Sequence, residues 1–180
     1  MQYKLVSFPI CPFVQRAVIM LKCKGQAYDV EYIDLQNTPQ WYLDKVPTGK
    51  VPSLWVDDEV LFESAAINEF INETADGDNM FPQDPIQRAR ARAWIAFADQ
   101  LLMNQFRMFS ANQEAGFESE RDELLANTLK LAEVVKGPYF FGDQLTLTDI
   151  AFSPIFTRMK LAEPVYSSLR DQAGEDSILM

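Results

Sequence analysis

Cys11 is the residue of this sequence best placed to act as a nucleophile. It directly precedes Pro12, after which apolar residues recur at helical spacing as far as Lys24. Because proline is favoured at the first position of a helix, Cys11 is predicted to be the N-cap residue. The unpaired N–H groups and positive dipole end of a helix N-terminus favour a thiolate, so we expect the Cys11 pKa to lie below the ordinary value of about 8.5. The alternative is a buried cysteine with a purely structural role.

The spacing of the two cysteines predicts a single working thiol. A dithiol motif would place its second cysteine three residues after Cys11, where this sequence has Val14. Cys23 lies in the same predicted helix, roughly 18 Å away at about 1.5 Å per residue, and a disulfide needs Cα atoms within about 7 Å. We therefore expect Cys23 to be a small filler without a catalytic role. A lone thiol can attack a disulfide, but an outside thiol must complete the exchange, and in the cytosol that thiol is usually glutathione.

The composition excludes several kinds of site. The 180 residues include no histidine and two cysteines, so no Ser-His-Asp or Cys-His arrangement and no His-ligated or four-cysteine zinc site can form within one chain. We therefore expect no metal cofactor. The formal net charge of −10 opposes binding of nucleic acid through a broad basic surface.

The sequence predicts a cytoplasmic protein that does not enter a membrane. A spanning helix needs about 20 consecutive apolar residues, whereas the longest apolar run near the start covers residues 17–21. The first residues lack the apolar segment of a signal peptide. Two cysteines without a disulfide framework also favour a reducing compartment.

The first 76 residues alternate between strand and helix patterns. Strands are predicted at Tyr3–Phe8, Tyr28–Leu35, Val51–Val56 and Val60–Phe62. Helices are predicted at Pro12–Lys24, for one turn after Pro39, and from Ser64 to about Thr74. The order βαβαββα indicates a small α/β domain whose first two strands are parallel and whose last two form a hairpin.

The pattern changes after this domain. Residues 77–85, rich in Gly, Pro and Asp, are predicted to be a linker, and residues 86–180 a helical domain. Its helices are predicted at Ile86–Phe109, Glu118–Lys136 and Thr148–Leu161, with a fourth at Val165–Leu169. Four aromatic side chains of the first of these follow helical spacing and are expected in the core rather than in a pocket: Trp94, Phe97, Phe106 and Phe109.

Two segments of the first domain could bind an extended or anionic ligand. If the Val51–Pro52 bond is cis, the Val51 N–H and C=O could turn outward and pair with a peptide as an added strand. Ser64, after Glu63 at a strand-to-helix turn, offers a hydroxyl and helix N–H groups to an anion; the alternative is an ordinary N-cap. Lys50 is a lone cation nearby that could contact the same ligand. The alternative interpretation is an ordinary solvated lysine in a loop.

Taken in order, these segments resemble the glutathione transferases. The Cys-Pro-Phe start resembles the cysteine-type members, which are omega-class transferases and plant dehydroascorbate reductases. The resemblance rests on the segments Cys11–Arg16, Pro39–Tyr42, Pro47–Leu54, Glu63–Ile67 and Leu145–Ile150. In the last segment Thr146 and Asp149 would form the family's capping box, which moves the predicted helix start to Leu147, and Leu145 would pack on Ile150.

The resemblance implies an α/β thioredoxin-like N-terminal domain and an all-α C-terminal domain that lacks the family's final helices. It implies glutathione as co-substrate, bound by Phe13, Lys50, Val51, Pro52, Glu63 and Ser64. In that arrangement Val51 pairs with the cysteinyl part of glutathione, Glu63 and Ser64 hold the γ-glutamyl end, and Lys50 lies near the glycyl carboxylate. Omega-class members usually carry a lysine where this chain has Thr38.

The resemblance also implies a glutathione-dependent thiol transferase or reductase that works through a mixed disulfide between Cys11 and glutathione. Deglutathionylation and dehydroascorbate reduction are the expected reactions, with a small or protein disulfide or electrophile as second substrate. One alternative is a non-catalytic interaction module of the same fold. Another is a conjugating transferase that uses the hydroxyl of Ser7 or a tyrosine. The family usually dimerises, so a homodimer is expected.

Overall fold

The computed structural model describes residues 1–162, which form two compact units, Met1–Phe81 and a second that begins at Pro82. The first unit contains β1 (Tyr3–Ser7), α1 (Pro12–Cys23), β2 (Tyr28–Tyr32), α2 (Gln40–Leu43), β3 (Ser53–Val56), β4 (Glu59–Phe62) and α3 (Ser64–Thr74). The second contains α4 (Pro85–Phe109), α5 (Glu114–Ala132) and α6 (Leu147–Leu161). The helix predicted at Val165–Leu169 lies outside the described residues.

The sheet of the first unit has the strand order β2-β1-β3-β4. β1 is parallel to β2 and antiparallel to β3, and β3 and β4 are antiparallel. The central position of β1 follows from its composition, because Leu5 and Val6 point to opposite faces of the sheet and both are fully buried. The hairpin turns at Asp57, whose φ of 52° suits the short polar side chain of aspartate.

Both faces of this sheet are covered. The helices α1 and α3 pack against each other and bury apolar stripes that include Ala17, Met20, Ile67 and Ile71. A separate core cluster contains Val6, Ile33, Tyr42 and Val46, with Val51, Trp55 and Val60 packed against it. The short helix α2 therefore contributes a buried tyrosine to the same cluster as the centre of the sheet.

Several predicted element boundaries were wrong by one or a few residues. β1 and β2 end before the predicted Phe8 and Leu35, and β3 begins at Ser53 rather than Val51, because Ser53 is the last residue of β3 that pairs with β1. Helix α5 begins at Glu114, one turn earlier than predicted, where an acidic residue in the first turn complements the helix dipole.

The segment predicted as a linker at 77–85 is tied to the first unit along much of its length. Asn72 in α3 accepts a hydrogen bond from the Met80 N–H at 2.8 Å and donates one to Asn79 at 2.8 Å. The Lys24 ammonium donates a hydrogen bond to the Asp78 carbonyl at 2.6 Å. The division between the two units, after Phe81, falls inside the predicted linker.

Helix α4 is the centre of the second unit, where it packs against both α5 and α6. Asp84 caps it by accepting a hydrogen bond from the Gln87 N–H at 2.8 Å, and Pro85 occupies its first turn. Deeper along the helix, the buried Gln105 amide donates to the Ile155 carbonyl of α6 at 3.2 Å.

The predicted capping box at the start of α6 is confirmed. Thr146 is the N-cap and Leu147 begins the helix, as the capping-box motif predicted. The Asp149 carboxylate accepts hydrogen bonds from the Thr146 N–H at 2.8 Å and from the Phe140 N–H at 2.7 Å. One side chain therefore closes the helix N-terminus and also holds the loop that precedes it.

Replacement of this carboxylate is expected to destabilise the protein. In Asp149→Ala, two partly buried N–H groups lose their acceptor, so we expect the free energy of unfolding to fall by about 2 kcal/mol. Urea unfolding followed by circular dichroism measures the change. Asp143→Ala, which removes an exposed carboxylate from the same loop, is the matched control. Equal stability of the two variants would contradict this account of the capping box.

Candidate active site

Cys11 lies where the sequence predicted it, at the N-cap of α1. Its backbone is extended, with φ −62° and ψ 121°, and Pro12 follows in the first turn. The side chain is 3% exposed. The thiol therefore stands at the end of a helix whose first N–H groups are unpaired, a setting that favours a negative charge.

Cys23 lies at the opposite end of α1 and does not fill space as predicted. It is exposed, whereas the preceding Met20 and Leu21 are fully buried. The prediction was wrong because Cys23 falls on the outer side of the helix. Both cysteines are free thiols, which agrees with the predicted absence of a disulfide between them.

The segment from Gly49 to Pro52 is held close to the start of β3. Gly49 has a φ of 62° and its N–H donates to the Val46 carbonyl at 2.9 Å, which closes a tight turn. The next residue, Lys50, is exposed, and its N–H donates to the Thr48 hydroxyl at 3.3 Å. The Val51–Pro52 bond is cis, Pro52 is buried, and Val51 takes no part in strand pairing with β1 or β4.

Glu63 and Ser64 form the turn from β4 into α3. Glu63 has a φ of 67°, a left-handed conformation that is costly for a side chain of this kind and clusters at ligand sites. Its carbonyl accepts the first hydrogen bond of α3, from Ile67 at 2.9 Å. Ser64 is 6% exposed, so a polar group lies in a largely enclosed position at the helix N-terminus.

Arg16 is a site residue to which sequence analysis gave no role. It is fully buried in α1, and its Nη1 donates to the Ser64 Oγ at 3.3 Å. Its guanidinium also lies 5.2 Å from the centre of the Phe13 ring. Because Ser64 accepts from Arg16, the hydroxyl hydrogen of Ser64 can be donated to an anion. An arginine on the buried, otherwise apolar face of α1 was the signal that could have identified it.

Tyr42 is a second residue whose role was not predicted. Its ring is fully buried, and its hydroxyl donates to the Lys50 carbonyl at 2.7 Å. Burial raises the Tyr42 pKa above the ordinary value, a hydrogen bond with Ser53 lowers it, and the nearby Cys11 thiolate raises it further. The phenol therefore lies within electrostatic reach of Cys11 and bonds directly to the segment that carries Lys50 and Val51.

The predicted site residues all lie in the first unit, in three segments: the start of α1, the turn before β3 and the start of α3. Cys11 and Phe13 start α1, and Arg16 links Phe13 to Ser64 at the start of α3. Tyr42 donates to the Lys50 carbonyl, and the charge of Cys11 is the smallest of the causes that shift the Tyr42 pKa. Thr38, where omega-class members usually have a lysine, donates its hydroxyl to the Leu35 carbonyl at 3.3 Å within its own loop.

The four aromatic residues of α4 have different surroundings. Trp94 and Phe97 are partly buried and pack edge to face, with ring centres 5.5 Å apart. Phe106 and Phe109 are 63% and 51% exposed, so the expectation that they belong to the core was wrong. Neither side chain lies on the buried stripe of α4, which takes Leu101, Leu102 and Met108 instead.

Two further properties of residues 1–162 bear on function. No group of three or more His, Cys, Asp or Glu side chains in this range is arranged to hold a metal ion. None of the helices in the same range is long and apolar enough to span a membrane.

Comparison with known proteins identifies the family. A family model described as "Glutathione S-transferase, N-terminal domain" matches residues 5–79. Glutathione S-transferase omega-1 of Sus scrofa is 30% identical over 164 residues, which covers 89% of this chain and 68% of that protein. Pyrimidodiazepine synthase of Drosophila melanogaster is 32% identical over 183 residues, which covers 96% of this chain and 68% of that protein.

The fold comparison agrees. The crystal structure of glutathione transferase Omega 3C from Trametes versicolor matches with a TM-score of 0.80 and 26% identity, covering 99% of this chain and 88% of that one. The chain belongs to the glutathione S-transferase family. It is similar to omega-class members, and the predicted resemblance and fold class are confirmed. Glutathione is the co-substrate of this family, and the chain is a glutathione transferase.

The raised pKa of Tyr42 predicts a specific loss of stability at alkaline pH. A tyrosine in the unfolded chain ionises near 10.0, whereas folded Tyr42 keeps its proton to a higher pH. The stabilising contribution is complete below pH 10 and is lost as pH rises towards the folded-state pKa. Between the unfolded-state pKa and the folded-state pKa, the unfolding free energy of wild type should fall with rising pH more steeply than that of Tyr42→Phe. The difference between the two slopes should reach at most about 1.4 kcal/mol per pH unit.

Urea unfolding between pH 9 and pH 11 measures this slope. Tyr32→Phe is the control, because Tyr32 is 56% exposed and its removal should leave the slope unchanged. Parallel pH profiles for wild type and Tyr42→Phe would contradict the prediction.

Proposed function

We propose that this protein is a glutathione-dependent thiol transferase in which Cys11 is the nucleophile. The observation that carries the proposal is the position of Cys11 at the N-terminus of α1, with Val14 where a resolving cysteine would stand. An activated thiol without a partner thiol suits exchange with a disulfide more than conjugation. The alternative hydroxyl, Ser7, is fully buried at the end of β1.

The reaction consists of two thiol–disulfide exchanges. The Cys11 thiolate attacks the glutathione sulfur of a glutathionylated substrate, which forms a Cys11–glutathione disulfide and releases the substrate thiolate to take up a proton. The thiolate of a second glutathione then attacks the glutathione sulfur bound to Cys11. Glutathione disulfide leaves and the Cys11 thiolate is restored. The cycle consumes one free glutathione for each substrate thiol released, because the other half of the glutathione disulfide comes from the substrate. Reduction of dehydroascorbate instead consumes two free glutathione molecules, which supply its two electrons and two protons and leave as glutathione disulfide.

The bound glutathione is oriented by the polar groups around Cys11. Val51, which pairs with neither β1 nor β4, offers its N–H and C=O to the cysteinyl part. Ser64, with the Arg16 charge behind it, and Glu63 hold the γ-glutamyl end. Lys50, exposed beside Val51, faces the glycyl carboxylate and supplies the cation that Thr38 does not. Phe13 and Pro52 complete the walls of the same site.

The second substrate is not determined by the family. One relative is named pyrimidodiazepine synthase and others are named glutathione S-transferases, so related chains carry different activities. The proposal here is limited to deglutathionylation of a small or protein disulfide, or reduction of dehydroascorbate, in the cytoplasm, where a glutathione pool keeps Cys11 reduced.

Intact-mass spectrometry after exposure to glutathione disulfide tests the nucleophile. We expect a single glutathione adduct, mapped to Cys11 and removed by excess glutathione. Cys11→Ser should form no such adduct and should lose at least about 100-fold in thiol-transferase activity, because a serine hydroxyl is not ionised at neutral pH. Cys23→Ser, the matched control, should keep both properties.

Four results would overturn the proposal. An adduct on Cys23 alone, or full thiol-transferase activity in Cys11→Ser, would exclude Cys11 as the nucleophile. Conjugation of an aromatic halide that survives loss of Cys11 would favour a conjugating transferase. Binding of glutathione without turnover of any disulfide would favour an interaction module.

A homodimer is part of the proposal, since the family usually dimerises. Light scattering of the reduced protein should give a mass twice the chain mass of 20.6 kDa. A measured mass equal to that of one chain would exclude the dimer.

A further inference from the structure

A partly buried chain of hydrogen bonds lies beside the segment that carries Lys50 and Val51. The Trp55 indole Nε1 donates to the Ser53 Oγ at 3.0 Å. The Ser53 hydroxyl lies close enough to the Tyr42 hydroxyl to lower the Tyr42 pKa by hydrogen bonding. The Tyr42 hydroxyl donates to the Lys50 carbonyl at 2.7 Å. We call these four groups the Tyr42 chain.

The chemistry of its members fixes the direction of the Tyr42 chain. An indole nitrogen donates and cannot accept, so Ser53 accepts from Trp55 and keeps its own hydroxyl hydrogen to donate. Tyr42 gives its hydrogen to the Lys50 carbonyl, so its oxygen is the acceptor for Ser53. Every hydrogen in the chain points towards Lys50, and such aligned hydrogen bonds polarise and strengthen one another.

The two middle members of the Tyr42 chain are fixed by packing. Tyr42 and Ser53 are fully buried, and the Tyr42 ring packs in the cluster with Val6 and Ile33. At the donor end, the Trp55 ring lies 5.8 Å from the Trp41 ring. A phenol held in this way has little freedom to move, so its hydroxyl can determine the position of the carbonyl it contacts.

The backbone of Lys50 is held from two sides. Its N–H donates to the Thr48 hydroxyl at 3.3 Å, and its carbonyl accepts from Tyr42. That carbonyl belongs to the peptide unit that also contains the Val51 N–H. The Tyr42 hydroxyl therefore controls the orientation of an N–H group that, under the proposed function, faces the cysteinyl part of glutathione.

We propose that Tyr42 is a positioning residue for glutathione, which acts through the Lys50 carbonyl to orient the Lys50–Val51 segment towards the tripeptide. Tyr42 does not itself touch the substrate in this proposal. The inference rests on the proposed function, because it assumes that Lys50 and Val51 contact glutathione. Its role differs from that of Cys11, since it affects binding and leaves the thiol chemistry unchanged.

Tyr42→Phe removes the hydroxyl and keeps the ring. We expect the dissociation constant of S-methylglutathione, measured by calorimetry, to rise about five- to tenfold, the effect of one lost hydrogen bond. The KM for glutathione should rise to a similar extent, with kcat at saturation within twofold of wild type. Below pH 9, where the Tyr42 phenol keeps its proton, the pH profile of Cys11 alkylation by iodoacetamide should match wild type, because a protonated phenol adds no charge near the thiol. Tyr32→Phe, in which an exposed tyrosine is changed, should match wild type in every measurement.

A truncated ligand separates positioning from general damage. γ-Glutamyl-S-methylcysteine lacks the glycyl carboxylate that faces Lys50 in the proposed complex. The variant should therefore lose more affinity for S-methylglutathione than for this dipeptide, and the wild-type preference for the longer ligand should shrink. Both ligands keep the cysteinyl part that faces Val51, so some loss of affinity for the dipeptide is also expected. An unchanged affinity for both ligands, or a larger loss for the dipeptide than for S-methylglutathione, would overturn the proposal.

A second variant covers the case in which Tyr42→Phe does not fold. Ser53→Ala removes the donor to Tyr42 and should weaken S-methylglutathione binding in the same direction by a smaller factor. An unchanged dissociation constant in a folded Ser53→Ala protein would then overturn the proposal. If wild type forms no Cys11 adduct and binds no S-methylglutathione, the proposed function fails. If wild type does both and Tyr42→Phe binds as well as wild type, this inference alone fails.

Discussion

The start of α1 at Cys11 is the constraint on which the rest of the site depends. Pro12 fixes the first residue of α1, so Cys11 is the N-cap residue. The unpaired N–H groups of the first helical turn therefore lie next to the Cys11 side chain. The preceding strand, β1, is the buried centre of the sheet. A three-residue turn joins β1 to Cys11, and the Cys11 N–H closes it by donating to the Phe8 carbonyl at 3.2 Å. This turn and the helix together give the side chain a defined position, which a nucleophile requires.

The remaining site residues are placed relative to this helix. Arg16, one turn into α1, contacts Ser64 at the start of α3, and the two helices pack together along their apolar stripes. A fully buried guanidinium is expensive unless polar groups surround it. Here it is bonded to Ser64 and lies against Phe13. Under the proposed function, its charge supports the anionic γ-glutamyl end of glutathione at the N-terminus of α3. The packing of α1 against α3 therefore brings the Arg16 charge to the N-terminus of α3.

Sequence analysis succeeded where the determining interactions are local. Pro12 identified the N-cap, and the spacing of Thr146 and Asp149 identified the start of α6, because both signals act within one turn of helix. It gave no role to Arg16 and Tyr42, because their significance comes from contacts with Ser64, 48 residues away, and with a loop carbonyl, 8 residues away. Periodicity also could not tell which face of a helix is covered by its neighbours. For that reason the interpretations of Cys23 and Phe106 were wrong, and both lie on exposed faces.

The two free thiols differ in accessibility, since Cys11 is buried and Cys23 is exposed at the far end of the same helix. A bulky thiol-labelling reagent that the glutathione site does not bind will therefore react with Cys23 first. A simple count of reactive thiols will then report Cys23 as well as Cys11. Air oxidation during storage can also join two chains through Cys23, which doubles the apparent mass covalently. The oligomeric state of this protein has to be judged under reducing conditions, where such cross-linked chains separate and a true assembly persists.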